Sequence, residues 1–180
     1  MSNHVMIDLE TLGTTADAVI LSIGAVKFNL ETGEIDPEGF YRSISVDSNL
    51  ALGRRISEDT LIWWFKQPTA AQAVFHEAKE HLDSALIELS DWMSAGDCLV
   101  WSNGADFDLP MLAHAYAQCS VEAPWKFWNS RCVRTYKNLP GAKDLRVALS
   151  GVKHNALSDA FDQAKLVCMI HQNLFSKVSV

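Results

Sequence analysis

The chain has 180 residues, 48% of them hydrophobic and 21% charged, with a formal net charge of −7. That length carries one domain with a sizeable core, spanning 1–180, and the balance excludes a disordered or fibrous chain. The acidic charge argues against a broad electrostatic footprint for nucleic acid, but not against an enzyme that grips a few nucleotides at a metal site.

The first element, HVMIDLETLG (4–13), reads as a strand with an apolar approach through Val5, Met6 and Ile7, interrupted by Asp8 and Glu10. Strand side chains alternate between faces, so Asp8 and Glu10 project from one face and Leu9 from the other. Two carboxylates held side by side repel unless a cation, a proton or solvent intervenes. AVILSIGAVKFNL (18–30) is a second strand, rich in β-branched and apolar residues, and ETGE (31–34) supplies a turn at Gly33. GFYRSISV (39–46) alternates as a third. Short connections make these three an antiparallel meander.

Helical patterns follow. SEDTLIWWFKQ (57–67) opens with Ser57 as N-cap and two acids in its first turn, favourable at the positive end of the helix dipole. Pro68 stops it, and Thr69 is placed to cap a further helix over AAQAVFHEAKEH. LDSALIELSDWM (82–93) spaces Leu82, Leu86, Leu89 and Met93 along one helical stripe, ending before Gly96. CLVWSNG (98–104) reads as a buried strand and LPMLAHAYAQ (109–118) as a helix, whereas NSRCVRTYKNL is left between a short strand and a turn. The last helix covers about 155–175, with Leu157, Phe161, Ala164 and Cys168 along one stripe. Strands, helices, a strand, a helix, a further short strand and a helix assemble most simply as an α/β layer protein with a mixed sheet.

No apolar run is long enough to span a bilayer, and the N-terminus lacks a basic stretch followed by an apolar core, so a cytoplasmic protein without a membrane role is expected. Cys98, Cys119, Cys132 and Cys168 form no CxxC pair, which points to reduced, mostly buried thiols instead of a zinc site or disulfide framework.

Each polar position has an ordinary explanation when taken singly. Acids at strand ends are commonly solvated, and Asp108 before Leu-Pro could simply cap a helix. Asp159 and Asp162 compete for an inward role, and Asp159 is preferred because its neighbours Leu157, Ala160 and Phe161 are apolar. Adjacent helix residues diverge by about 100°, so Trp63, Trp64 and Phe65 cannot all face one core, and one tryptophan is left to line a cleft or stack on a base. Jointly, Asp8, Glu10, Asp108 and Asp159 make a hard, oxygen-rich set suited to Mg²⁺ or Mn²⁺, with His154 as the side chain that exchanges a proton near neutral pH.

DLET, NGADFD and HNALSD, in that order, resemble the three motifs of the DEDDh 3′-to-5′ exonucleases, a superfamily with the RNase H-like fold. The likeness runs from about residue 5 to 172 and is nearest to the branch that holds RNase AS and the phage DexA and exonuclease VIII-like proteins. It implies a mixed sheet, with an antiparallel three-strand meander plus parallel strands, flanked by helices. It also implies two divalent cations, one held by Asp8, Glu10 and Asp159 and the other by Asp8 and Asp108, with His154 as general base. Asp106 and Asp162 fall outside the motif spacing. Thr11, Leu12 and Gly13 are implied to hold the 3′-terminal nucleotide, Asn103 and Phe107 to contribute from the second motif, and Trp64, or failing it Trp63, to stack on a base. The expected partner is the 3′ end of a single-stranded nucleic acid, DNA or RNA, with a homodimer possible through Trp125 and Trp128. The rivals are a catalytically silent nucleic-acid-binding domain on the same fold and a hydrolase of very short oligonucleotides.

Overall fold

The computed structural model describes residues 4–93, 97–104 and 106–175. Strand β1 (His4–Thr11) lies at the centre of a five-stranded sheet, antiparallel to β2 (Ile20–Phe28), which is antiparallel to β3 (Phe40–Ser43). On its other side β1 runs parallel to β4 (Leu99–Ser102), and β4 runs parallel to β5 (Ser130–Cys132). The order is therefore β3-β2-β1-β4-β5, the mixed sheet expected from the motifs.

Alternation along β1 divides the core in two. Val5, Ile7 and Leu9 join the cluster that packs on α4 (Leu82–Met93) and α5 (Asp108–Gln118). Met6 faces the opposite layer with Val26, Trp101 and the buried face of α7 (Ala156–Phe175). Asp8 and Glu10 continue the Met6 face, because a period of two carries the same side outward along the strand. The pairing register shifts between Glu10 and Thr11, an irregularity of the kind that re-aims strand ends beside active sites.

Several boundaries differ from the pattern read in the sequence. The third strand stops at Ser43 because Ser45 caps α1 (Val46–Ala51), its side chain accepting a hydrogen bond from the Ser48 amide. Asn49 on α1 is fully buried; it accepts from the Ile20 amide at 3.0 Å and donates to the Ile20 carbonyl at 3.1 Å, which secures the start of β2. Helix α2 (Glu58–Phe65) carries the expected Ser57 cap. The helix expected after Pro68 is cut short to α3 (Thr69–Gln72) and a 3₁₀ turn (Ala73–Phe75), and Pro68, not Thr69, occupies the cap position. Competition explains the truncation: Glu80 is extended, donating to the Ser43 carbonyl and accepting from the Ser45 amide, so its segment continues the sheet pairing instead of coiling.

The segment left undecided in the sequence resolves into β5 and α6 (Val133–Lys137), where the Cys132 sulfur accepts from the Thr135 amide. Gly96 lies outside the described residues. All four cysteines are free, Cys98 and Cys168 being buried. Trp125 packs into the core against Tyr116, while Phe127 and Trp128 stand exposed. Pairing of two copies through that patch has no support in the geometry. Among the described residues no helix is long and apolar enough to cross a membrane.

Candidate active site

Five segments meet at one cavity of about 800 Å³: the end of β1, helix α2, the turn from β4 into α5, helix α6, and the start of α7 with the loop before it. Its floor is Asp8 and Glu10, and its walls include Asp108, His154 and Asp159. Glu10 and Asp108 are buried, 7% and 2% exposed, which is unusual for carboxylates and demands compensation.

Each acid is brought in by a local feature. Asp108 is the first residue of α5, with Phe107 at the cap position, and its Oδ1 accepts from the Leu9 amide at 3.2 Å. That bond ties the second motif to β1. Asp159 sits in the first turn of α7, where the Asn155 side chain receives the Ser158 amide as a cap. The Asp159 Oδ2 accepts from the His154 backbone amide at 2.9 Å. His154 itself has φ of 64°, a left-handed conformation uncommon for a residue with a side chain and a mark of a strained, over-determined loop.

Close approach at Gly24 makes the convergence possible. Gly24 is the register partner of Asp8 on β2, and a β-carbon there would overlap the backbone of Ala156 and Leu157. The N-terminal turn of α7 therefore rests directly on the sheet, delivering Asp159 beside the β1 acids. Gly24→Ala is expected to push this turn outward, lowering activity at least about tenfold and stability by about 1–3 kcal/mol. Activity assays beside thermal melts measure both; a variant with normal activity would show that Asp159 does not depend on this contact.

Burial and mutual repulsion govern the electrostatics of the acids. Burial, then Asp108, Glu10 and Asp159, raise Asp8 well above the usual carboxylate range, with a side-chain bond from Gln163 opposing the shift. Burial, then Asp159 and Asp108, push Glu10 up to about 8. Burial also raises Asp108 to about 6, against hydrogen bonds from the backbone, and raises Asp159. Oxygens of Glu10 and Asp159 and a ring nitrogen of His154 all lie within 4.8 Å of one another, a spacing that one metal ion can bridge. Hard carboxylate oxygens in a buried, mutually repelling set fit Mg²⁺ or Mn²⁺.

A pH dependence follows from the sign of these shifts. A carboxyl whose folded pKa is raised favours folding while protonated, so the contribution of Glu10 is complete below 4.5 and is lost as pH passes through about 8. In EDTA the melting temperature should fall between about pH 5 and 8.5, and Mn²⁺ should restore it most at the alkaline end. Parallel melting curves with and without the ion would contradict the site.

The remaining sequence candidates divide. Thr11 and Gly13 line the cavity, the Thr11 hydroxyl donating to the Gly13 carbonyl at 2.7 Å. Asn103 and Phe107 line it as well. Leu12 does not: it is 3% exposed and packs with Val19, Leu21 and Trp64. Trp64 contributes to the cavity wall but is mainly core, 1% exposed, its indole N–H donating to the Thr11 carbonyl at 2.8 Å. Trp63 is 40% exposed, and its ring meets the His154 ring edge-on at 4.9 Å. Asp106 is exposed outside the cavity; Asp162 is buried and lines it, but both of its oxygens accept from the Ser150 amide, at 2.9 and 3.1 Å.

Residues not singled out in the sequence also line the cavity: Arg134 and Lys137 on α6, Lys153 beside His154, and Gln163 on α7. Only the spacing of Gln163 from Asp159, four residues along one helix face, offered a signal.

The family model, the fold and four carboxylates converging over the central strand of this mixed sheet together place the chain among nucleases of the DEDD exonuclease superfamily, which digest nucleic acid from the 3′ end. The chain belongs to the family described as the 3′-5′ exoribonuclease Rv2179c-like domain, whose model matches residues 3–171. It is 24% identical over 155 residues to the exodeoxyribonuclease of Enterobacteria phage T4, covering 72% of this chain and 68% of that protein. Among solved structures, S. pombe Pop2p in its Mg²⁺- and Mn²⁺-bound form superposes with a TM-score of 0.69 at 15% identity, over 99% of this chain and 86% of that one. The zinc-bound complex of E. coli ExoI with single-stranded DNA gives 0.66 at 13% identity, over 97% of this chain and 41% of that one.

Proposed function

We propose that the enzyme removes mononucleotides from the 3′ end of single-stranded RNA, with two Mg²⁺ or Mn²⁺ ions in the site. The observation that carries the reading is the set of four acids, three of them on β1 and α5 and the fourth on α7, opening into one cavity with His154 at its edge. Asp8, Glu10 and Asp159 would hold one cation, and Asp8 with Asp108 the other. Bound there, such ions supply a nucleophilic water at neutral pH and stabilise the leaving 3′-oxygen.

The chain's own groups supply the rest. Burial and the neighbouring Lys153 hold the His154 pKa below its ordinary value, so the ring is mainly neutral at pH 7 and able to accept a proton from the attacking water. Arg134, Lys137 and Lys153 place positive charge around an otherwise acidic cavity, where the phosphates of the strand would run. Thr11 and Gly13 would seat the terminal nucleotide, with Asn103 and Phe107 beside it, and the exposed face of Trp63 would stack on a base. A reducing, cytoplasmic setting fits the four free thiols.

RNA is favoured over DNA because the matching family model is described as an exoribonuclease, whereas the phage relative is named for DNA. Matched RNA and DNA strands, single and double, labelled at the 5′ end and incubated with each metal or with EDTA, test this reading. A one-nucleotide ladder from single-stranded RNA, lost in EDTA, is expected. Binding without shortening would favour a silent nucleic-acid-binding domain, and cleavage confined to dimers and trimers a hydrolase of short oligonucleotides.

A further inference from the structure

We infer that Gln163 is a positioning residue for the proposed metal site, holding the Asp8 carboxyl group in a fixed orientation through one hydrogen bond; this rests on the metal-site reading given under Proposed function. Gln163 lies one helical turn beyond Asp159 on α7, so both side chains point from the same face toward β1. Its Nε2 donates to the Asp8 Oδ1 at 2.7 Å, joining residues 155 positions apart in the chain.

The other end of the amide explains why the residue is there for its donor. Gln163 Oε1 is enclosed with no hydrogen-bond partner among the described residues. A buried acceptor left unpaired is costly, and a methionine of similar length would fill the same space without that cost. Packing alone therefore does not account for an amide at this position. Ala160 and Ala164, on either side of Gln163 along the same helix, are fully buried, which anchors this part of α7 on the sheet. Asp8 is the ligand that the proposed site shares between its two cations, and occupying its Oδ1 on one side restricts rotation of the carboxylate. Hydrogen-bonding partners that orient a metal ligand typically contribute roughly 10–100-fold in metal affinity.

The experiment is calorimetric titration of Mn²⁺ into the metal-free protein, comparing wild type with Gln163→Met, which removes the donor, and Gln163→Asn, whose amide is one methylene short of Asp8. Val167→Ala serves as a packing control on the same helix. Melts of the metal-free proteins establish that each is folded. Both Gln163 variants should bind Mn²⁺ at least about tenfold more weakly. The metal concentration for half-maximal activity should rise by the same factor, while KM for a single-stranded oligonucleotide at saturating Mn²⁺ stays within about twofold. Val167→Ala should melt earlier with Mn²⁺ affinity unchanged. Wild-type affinity in the folded Gln163 variants overturns the inference alone. A wild-type protein that takes up no Mn²⁺ overturns the metal-site reading and this inference with it.

Discussion

Asp8→Asn should abolish exonuclease activity, lowering kcat/KM by at least about 10³-fold, or roughly 4 kcal/mol of transition-state stabilisation, while making the metal-free protein more stable. Both effects have one cause. Asp8 lies among Glu10, Asp108 and Asp159, each of which raises its pKa, so in the absence of cations its charge opposes folding at neutral pH. An asparagine of the same shape removes that repulsion but also removes the anionic ligand shared by the two proposed cation positions. The melting temperature in EDTA at about pH 8 should therefore rise, and the increase in melting temperature on adding Mn²⁺ should shrink or vanish. Activity and melts measured on the same preparation separate this from misfolding. A variant that keeps full activity would remove Asp8 from the site altogether.

His154→Ala should lower kcat by about 10² to 10⁴-fold with KM for the oligonucleotide little changed, the range expected for loss of a general base. The pH profile is the sharper measurement. As base, the imidazole must be neutral, so wild-type kcat/KM at saturating metal should rise with pH through the His154 pKa, which burial and Lys153 hold below the ordinary value, and then level off. The groups facing the ring are Asp159, Glu10, Lys153 and the two tryptophans. With cations present the carboxylates are ionised below this range, leaving the acidic limb to His154. His154→Ala should flatten that limb. An unchanged limb in the variant would assign the proton transfer to another group.

Much of the architecture was legible in local pattern because the signals are short-ranged. Ser57 and its two following acids specify the start of α2, and the Leu82, Leu86, Leu89 and Met93 stripe specifies α4, all four being buried. Where local and long-range demands conflicted, the pattern misled. Residues 69–81 have helical composition, yet Glu80 is drawn into pairing beside β3. Ser45 reads equally well as an alternating strand residue and as a helix cap, and its bond with the Ser48 amide decides for the cap. Trp63 and Trp64 are indistinguishable by composition; the Thr11 carbonyl, reached only through the tertiary fold, selects Trp64 for the core.

The opening strand shows the division most clearly. From the sequence alone, the period of two placed Asp8 and Glu10 on one face with Leu9 opposed, and the three motifs in their order resembled those of a nuclease superfamily, a likeness that implied the chemistry. What surrounds them was decided only by the folded chain. Asp108 reaches β1 through a bond spanning 99 residues and Gln163 through one spanning 155, and Arg134 and Lys137 arrive from a segment with no motif of its own. Side-chain type and spacing along one element are set by covalent geometry. The partners that orient, charge and enclose a site come from elements distant in sequence, and only their packing determines which of them meet.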